Sequence, residues 1–335
     1  MIRSLNIFLL LTFLFTLNSC NEKPEKYYRN EGLIFGTTYH MIYEYKKDIH
    51  QDIRSKLLEF NSSLSTYDKG SIISKVNRNE AVELDDYFTK CFNKAKEISE
   101  KTDGAFDMTV APLVNAWGFG FSKKDSVSQE LIDSLLQYVG MDKIRIEKGK
   151  IVKDYPEVML DASAIAKGYG VDVAAEFMEK KGIRKYLIEI GGEIRVKGIN
   201  ASGVPWRVGI DKPVDDPKVL HRELEEIIEI SEGALATSGN YRNFYIKNGK
   251  KYAHTIDPKT GYPVQHELLS ASVYAPDCMT ADAYATAFMV LGLDKAKKIV
   301  EDTPELEAYF IYRGEKTDTL QVFYTDGFGR MIVKE

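Results

Sequence analysis

The chain has 335 residues, a formal net charge of −5 and 44% hydrophobic residues. This length is enough to bury a substantial core, in one large domain or two small ones. The mildly acidic charge and the lack of a basic stretch argue against nucleic-acid binding. The three cysteines, at positions 20, 91 and 278, are too few for a disulfide-rich scaffold and lack metal-binding spacing. We expect Cys91 and Cys278 to be buried thiols, although the sequence leaves their pairing open.

The N-terminal segment has the features of an export signal. Arg3 precedes an apolar run over residues 7–17 that is short for a membrane span. Ser19 directly before Cys20 resembles the lipobox of bacterial lipoproteins, in which the signal is removed and the cysteine is lipidated. We therefore expect a signal peptide over residues 1–19, a lipidated Cys20 with a polar tether to residue 30, and a folded domain over 31–335. An ordinary cleaved signal or an uncleaved anchor is the alternative.

In the first half of the domain, the sequence predicts one strand, then several helices and a hairpin. Alternating apolar and polar residues, rich in Thr, Tyr and Ile, predict an opening strand over residues 32–45. Further along, the sequence predicts helices over residues 48–60, 85–101 and 126–139 and a hairpin over 144–152.

Two residues of this half are candidates for ligand binding. Tyr67 lies in a polar loop after Leu64, where its ring either stacks on a planar ligand or covers the core. Asp107 lies in an unusually apolar stretch, so its carboxylate must be hydrogen-bonded or reach solvent through a cleft. Capping of the next turn is the alternative role for Asp107.

The segment over residues 161–170 leads into a predicted helix that continues to residue 180. Its small residues let backbone N–H groups approach an anion, and Lys167 adds a positive charge, which favours a phosphate site. The spacing does not match a P-loop, and an ordinary lysine at a helix start is the alternative. Two strands, over residues 185–190 and 193–198, flank Gly191 and Gly192, which either make a tight turn or let a ligand lie on the backbone.

Strands are also predicted over residues 206–211 and 224–231, from residue 234, and from residue 251 to a rigid turn that begins at Asp257. His254 lies three residues before Asp257 and is one of only five histidines. A single histidine of this kind has either a structural or a catalytic role.

A helix over residues 281–291 is predicted by Thr280 as its N-cap and Gly292 at its end. Asp282 and Thr286, four residues apart, project from the same face beside small alanines, and these two hard oxygen ligands suit Mg²⁺ or Ca²⁺. Alternatively, Asp282 complements the helix dipole and Thr286 packs in a small-residue seam. A helix over 294–301 and strands over 309–312, 321–324 and 331–333 complete an α+β pattern.

Together, seven segments resemble the FAD:protein FMN transferase (ApbE) family in residues, order and spacing. They cover residues 65–68, 105–110, 161–168, 191–193, 236–239, 254–261 and 282–286, and the last two are the most specific. The resemblance spans nearly all of the chain after the tether. It implies a single two-lobed α+β domain with mixed or antiparallel sheets and flanking helices, and an FAD cleft between the lobes.

The resemblance implies Mg²⁺-dependent transfer of FMN from FAD to a threonine hydroxyl of an acceptor protein, with release of AMP. The implied Mg²⁺ ligands are Asp282, Thr286 and the backbone carbonyl of Ala164. His254 is the implied base, and Asp257 would orient it or bind ligand. The implied contacts to FAD come from Leu64, Tyr67, Ala105, Phe106, Asp107, Lys167, Gly192, Glu193, His254 and Ile256.

The resemblance also implies a partner and a location. Family members are typically exported lipoproteins, which strengthens the expectation of a lipid on Cys20 and a position on a bacterial membrane facing the periplasm. The implied acceptors are membrane respiratory subunits of the Na⁺-translocating NADH:quinone reductase or Rnf type, which carry a threonine-centred motif.

Three positions depart from the family pattern. Ser163 stands where glycine is usual, Glu193 where Asp or Asn is commoner, and Asn240 where aspartate is usual. None of these removes an implied metal ligand or His254. Two other functions stay open at this point: a Mg²⁺-dependent FAD pyrophosphatase that gives FMN and AMP, and a non-catalytic FAD-binding lipoprotein.

Overall fold

The computed structural model describes residues 26–120, 127–213, 223–240, 244–247, 250–314 and 319–334. Within these residues the strands are, in chain order, β1 (Lys26–Ile34), β2 (Thr37–Tyr45), β3 (Ile144–Glu147), β4 (Lys150–Lys153), β5 (Tyr186–Ile190), β6 (Glu193–Lys197), β7 (Trp206–Asp211), β8 (Leu224–Ile230), β9 (Glu232–Gly239), β10 (Phe244–Lys247), β11 (Lys250–Ala253), β12 (Leu268–Ala275), β13 (Glu307–Arg313) and β14 (Leu320–Tyr324).

The helices of the same residues are α1 (His50–Leu64), α2 (Ile72–Asn77), α3 (Asp86–Lys101), α4 (Ala111–Ala116), α5 (Gln129–Leu136), α6 (Ala166–Lys180), α7 (Cys278–Leu291), α8 (Leu293–Glu301) and α9 (Asp326–Gly329). Short 3₁₀ turns lie at Met108–Val110 and Met141–Lys143.

Eight strands form one sheet in the order β1-β2-β5-β6-β9-β12-β13-β14, and every neighbouring pair is antiparallel. The other strands pair as three separate hairpins, β3 with β4, β7 with β8 and β10 with β11. The α+β prediction is confirmed, and the large sheet is antiparallel throughout, not mixed.

The sheet is covered on both faces, as its alternating side chains require. Along β13, Ala308 and Phe310 pack into the core beneath the helices, whereas Tyr309 and Ile311 pack into a second cluster with Trp206. Helices α1, α3, α6 and α7 therefore cover one face, and the β7–β8 hairpin and the C-terminal segment cover the other. A smaller apolar cluster, built from Leu113, Trp117, Ile132, Val139 and Ile256, forms a separate small lobe around α4 and α5.

The N-terminal boundary of the domain differs from the prediction. The single strand expected over residues 32–45 is a hairpin of two nine-residue strands, turning at Phe35 and Gly36, both with positive φ. Because β1 begins at Lys26 and pairs with β2 along its length, residues 26–30 belong to the sheet and not to a tether. The predictions for residues 1–19 and Cys20 lie outside the described residues. In the described part of the chain, no helix is both long and apolar enough to span a membrane.

The helix that carries Asp282 begins earlier than predicted. Its first residue is Cys278, and the N-cap is Asp277, whose carboxylate accepts from the N–H of Thr280. Thr280 is therefore in the first turn of α7 and not its cap, while Gly292 ends the helix as predicted, with φ +77°.

The secondary structure also differs from the prediction elsewhere: helices α2, α4 and α9 and strand β10 were not expected. Strand β12, in the middle of the sheet, was not expected. Residues 331–333 form no strand, and Ile332 makes only an isolated bridge to Ile228. Cys91 and Cys278 are free and buried, as expected.

Candidate active site

A cavity of about 450 Å³ opens between the small lobe and the main body of the molecule. Most of the residues singled out from the sequence line it: Tyr67, Ala105, Phe106, Asp107, Ala164, Lys167, Glu193, His254, Ile256, Asp282 and Thr286. A cavity of this size is in the range that holds small-molecule ligands. Segments that are far apart in the sequence therefore meet in one site.

The floor of the cavity is built where α6 crosses α7. The N–H of Gly168, in the first turn of α6, donates to Asp282 Oδ2 at 2.9 Å, and N–H groups in a first turn have no partner within their own helix. Asp282 thus caps α6 from another helix. The approach requires glycine, because a Cβ on Gly168 would lie 2.2 Å from the Cys278 carbonyl oxygen and 2.7 Å from Asp282 Cβ.

Three charged side chains lie together beside this crossing. Lys167 Nζ is 2.5 Å from Glu193 Oε1 and 4.0 Å from Asp282 Oδ1. Burial disfavours the charge on Lys167, but attraction to Asp282 and Glu193 outweighs it and raises the lysine pKa. Burial raises the pKa of Glu193 against the pull of Lys167. Lys167 therefore keeps its positive charge at the cavity wall.

Only one of the two carboxylate oxygens of Glu193 contacts Lys167. Its Oε2 atom is buried, and within the described residues it has no hydrogen-bond partner. A buried polar atom of this kind normally has a partner, so a ligand donor is expected opposite it.

Asp282 and Thr286 lie one turn apart on α7, and both face the cavity, with Ala164 just before α6. In the described part of the chain, no three His, Cys, Asp or Glu side chains form a metal cage. Mg²⁺ does not need one, because it is commonly held by one or two carboxylates together with substrate phosphates and water. One carboxylate, one hydroxyl and a nearby carbonyl therefore fit a cation that is shared with a phosphate ligand.

His254 reaches the cavity from the segment that follows β11. Its ring lies edge-on to Phe119, with centroids 6.5 Å apart. The next residue, Thr255, donates its hydroxyl to Asn240 Oδ1 at 2.9 Å, which ties the segment to the end of β9. The indole N–H of Trp117 donates to the Gly261 carbonyl at 2.7 Å and holds the far side of the same loop. The imidazole is thus presented by a braced loop.

Asp107 has both of the roles considered for it. Its Oδ1 accepts from the N–H of Thr109 at 2.7 Å and from the Thr109 hydroxyl at 2.5 Å, so it caps the 3₁₀ turn, and it also lines the cavity. Burial raises its pKa to about 6, although these hydrogen bonds pull the other way. Tyr67, at the mouth of the cavity, is 81% exposed.

Three expected site residues do not lie where the sequence predicted. Leu64 is a buried core residue beneath the helices and does not line the cavity. Both carboxylate oxygens of Asp257 close its own turn, accepting from the N–H of Lys259 and the hydroxyl of Thr260, and the residue does not line the cavity. Gly192 is exposed and donates its N–H to Glu189 Oε1.

The neighbouring glycine takes the place expected of Gly192. Gly191 lines the cavity with φ +65°, and a Cβ there would lie 2.8 Å from Thr37 Cγ2. The double glycine was recognised, but which of the two faces the site depends on the hairpin geometry. Thr237 and Ser238 at the end of β9 also line the cavity, as do Asn77 and Phe119. Thr237 and Ser238 lie in the segment over residues 236–239, which resembles the family but in which no single residue was given a role. Asn77 carries no sequence signal.

Besides Glu193, the other two departures from the family pattern also have a place in or beside the site. Ser163 lines the cavity, and its N–H donates to Asp161 Oδ1 at 2.8 Å. Asn240 accepts from Thr255, so the amide at this position braces the histidine loop.

The comparisons with known proteins agree on one family. A model of the ApbE family matches residues 35–310, which include every cavity-lining segment. The FAD:protein FMN transferase of Haemophilus influenzae is 40% identical over 315 residues, which are 89% of this chain and 90% of that protein. The FAD:protein FMN transferase of Vibrio cholerae is 40% identical over 302 residues, or 87% and 89% of the two chains.

Solved structures agree with this result. The flavin transferase ApbE from Vibrio cholerae superposes with a TM-score of 0.81 at 35% identity, covering 92% of this chain and 100% of that one. The flavinyl transferase ApbE of Pseudomonas stutzeri, in its apo form, gives a TM-score of 0.80 at 29% identity over 92% and 97% of the chains. The overall fold of this chain is therefore that of solved ApbE structures.

Proposed function

The chain belongs to the ApbE family, and from this premise we propose that it transfers FMN from FAD to a threonine hydroxyl of an acceptor protein, releasing AMP, with the help of Mg²⁺. One observation carries the proposal: a single cavity brings together a lysine at a helix start, two hard oxygen ligands on α7 and a histidine on a braced loop. Simple storage of a flavin needs neither a cation site nor a base.

The end of the cavity beside Lys167 suits the diphosphate of FAD. The N-terminus of α6 points its positive dipole end toward this region, and the Lys167 ammonium adds a full charge. Asp282, Thr286 and the carbonyl of Ala164 would hold Mg²⁺ here. When bound, Mg²⁺ supplies charge neutralisation on the diphosphate and on the departing AMP.

The residues of the chain then account for the transfer. His254 accepts the proton of the acceptor threonine, and the hydroxyl oxygen forms a bond to the flavin-side phosphorus. The bond from this phosphorus to the bridging oxygen breaks, and AMP leaves with that oxygen and its electron pair. Lys167 stabilises the negative charge that develops on the phosphates. Positioning and charge neutralisation supply most of the rate enhancement in such phosphoryl transfers.

The test is mass spectrometry of an acceptor domain that carries the threonine motif, after incubation with the purified protein, FAD and Mg²⁺. We expect a mass gain equal to FMN minus one water, because the threonine oxygen replaces AMP on the flavin-side phosphorus. In His254→Ala, loss of the general base should lower the transfer rate by about 10²-fold or more. Asp282→Ala is expected to abolish the Mg²⁺-dependent transfer. His40→Ala is the matched control, because this exposed histidine pairs with Glu189 away from the cavity.

The same experiment separates the competing functions. Mg²⁺-dependent release of AMP without a mass gain on the acceptor would identify an FAD pyrophosphatase. Bound FAD with neither product would identify a flavin carrier, and the role of His254 would then be wrong.

We further propose that the protein acts on the outer side of a bacterial membrane, anchored by a lipid on Cys20. The charged start, apolar run and lipobox-like cysteine support this, as does the family resemblance. The described part of the domain begins at Lys26, so a lipid at Cys20 would hold the domain close to the membrane surface. Membrane respiratory subunits of the Na⁺-translocating NADH:quinone reductase or Rnf type are the proposed acceptors.

A further inference from the structure

Helices α6 and α7 cap each other. The carboxylate of Asp282, on α7, accepts from the N–H of Gly168 in the first turn of α6. In return, the carboxylate of Asp172, on α6, accepts from the first two N–H groups of α7, those of Cys278 at 3.0 Å and Met279 at 2.8 Å. Each helix thus supplies the acid that closes the start of the other.

The spacing on both helices makes this arrangement specific. Gly168 and Asp172 lie four residues apart on α6, and Cys278 and Asp282 lie four residues apart on α7, so each pair shares one face of its helix. The missing side chain of Gly168 lets the two faces meet, since a Cβ would collide with the Cys278 carbonyl. A shift of α7 along α6 would break hydrogen bonds at both ends of the contact.

Asp172 is itself held from the sheet. Arg195, on β6, donates from Nη1 to Asp172 Oδ1 at 2.6 Å, and the aspartate side chain is only 3% exposed. Asp172 therefore makes three charge-assisted hydrogen bonds in a buried site, where its geometry is fixed. It does not line the cavity and cannot touch FAD or the acceptor.

We propose that Asp172 is a positioning residue for the cation site: by docking the start of α7 onto α6, it sets where Asp282 and Thr286 stand relative to Ala164 and Lys167. This inference rests on the proposed cation site. Loss of a group that orients a metal ligand without touching the metal typically lowers metal affinity by about 10- to 100-fold. The start of α7 has a second cap, Asp277. Its carboxylate accepts from Thr280 within the same turn and does not connect α7 to α6.

The two caps allow a matched experiment. Mn²⁺ takes the same oxygen ligands as Mg²⁺ and is detected by electron paramagnetic resonance. Because the proposed cation is shared with a phosphate ligand, Mn²⁺ binding to the purified full chain is titrated with FAD present and acceptor absent, and a titration of FAD alone is subtracted. We expect Asp172→Asn to weaken Mn²⁺ binding about tenfold. Asp277→Ala removes a cap from the same helix end but leaves α7 docked, and we expect it to change Mn²⁺ binding by less than about twofold.

Activity measurements give an independent readout. In Asp172→Asn, the Mg²⁺ concentration for half-maximal transfer is expected to rise about tenfold, while kcat at saturating Mg²⁺ stays within about threefold of the unchanged protein. Arg195→Lys keeps the positive charge but loses the planar fork, and we expect an intermediate loss of Mn²⁺ affinity of about threefold. This milder variant tests the same contact if Asp172→Asn does not fold.

The outcomes separate the two proposals. If the unchanged protein binds Mn²⁺ and Asp282→Asn does not, the cation site stands. Unaltered Mn²⁺ affinity in folded Asp172→Asn or Arg195→Lys, or an equal loss in Asp277→Ala, would then overturn the positioning role alone. If the unchanged protein binds no Mn²⁺, the cation site fails, and the positioning role fails with it.

Discussion

Asp107, Glu193 and Asp282 line one cavity, and each carboxylate is held by a different kind of partner. Asp107 accepts from the next turn of its own chain, Glu193 pairs with a lysine, and Asp282 caps a neighbouring helix. Asp282 faces the cavity one helical turn from Thr286, whose hydroxyl also faces it, so these two side chains can share a cation. The partner, more than the residue type, thus decides the role of each acid.

Asp107 gives a prediction about pH and stability. Its folded-state pKa is about 6, above its ordinary value of 3.8, so its contribution to stability is complete below about pH 4 and is lost as the pH rises through 6. Asp107→Asn removes this titration. Between pH 4 and 7, the free energy of unfolding of the unchanged protein should fall by roughly 2–3 kcal/mol relative to the variant, measured by urea unfolding.

The control for this prediction is Asp133→Asn, at an exposed position on α5. Its unfolding free energy should follow that of the unchanged protein at every pH. Parallel pH profiles for the unchanged protein and Asp107→Asn would show that the burial of Asp107 does not penalise its charge.

At the scale of elements, the contact between α6 and α7 is the feature on which the site depends. Helix α7 is buried over most of its length, packing against β9, β12 and α6, so its own sequence does not decide which face meets the cavity. That choice follows from the close approach at Gly168 and from the two reciprocal caps. The two proposed cation ligands on α7 are therefore placed by a helix pair.

Gly168→Ala tests this contact. A methyl group at this position would meet the backbone carbonyl of Cys278, which cannot move without displacing α7. Overpacking of this kind costs about 1–3 kcal/mol, and a rigid backbone neighbour favours the upper end. The gain of about 1 kcal/mol from replacing glycine by alanine in a helix does not offset it. Thermal unfolding should therefore show a lower Tm together with weaker Mg²⁺ activation.

Gly70→Ala is the matched substitution. Gly70 is exposed outside the helices, its φ is not positive, and a Cβ there would approach only a side-chain oxygen of Asp68. Its Tm should stay close to that of the unchanged protein. An equal Tm in Gly168→Ala would mean that α6 and α7 can separate without cost.

In the whole molecule, different strands of the large sheet have different structural roles. Its central strands support α7 and the cavity, whereas β1 and β2 close one edge. Tyr28 of β1 stacks on Tyr43 of β2 with centroids 5.8 Å apart, and the Tyr27 hydroxyl donates to the Ile199 carbonyl at 2.8 Å. The segment that carries the proposed lipid thus leads directly into a structural strand.

Cell fractionation tests the anchor and the domain boundary together. The full chain is expected in the membrane fraction, and Cys20→Ser in the soluble exported fraction. A chain that begins at Lys26 should transfer FMN within about twofold of the full rate, because every cavity-lining residue follows β1. Cys20→Ser that stays with the membrane would contradict the lipid anchor.

A chain that begins at Glu31 provides the contrast. It lacks Tyr27 and Tyr28 with half of β1, and loss of this partly buried aromatic surface should lower the free energy of unfolding by about 2–4 kcal/mol. Equal stability of the chains that begin at Lys26 and Glu31 would place the start of the domain at residue 31 after all.

Residue types at short spacings in the sequence indicate the proposed chemistry and predict most of the local elements. Asp282 with Thr286, and Lys167 before its glycine, are recognisable because each signal lies within a few consecutive residues. Caps and turns have the same local character, which explains why α3, the β3–β4 hairpin and the end of α7 at Gly292 were predicted close to their observed bounds. His254 was likewise found from a short segment.

Tertiary structure decided what depends on distant partners. Strand β12 escaped prediction because it is buried on both faces, so its small and apolar residues do not alternate with polar ones. Asp257 has the residue type of a catalytic acid, yet its own turn takes both of its oxygens. The mutual capping of Asp172 and Asp282 joins residues more than 100 positions apart. No local pattern encodes such a contact, because it exists only once the two helices are packed.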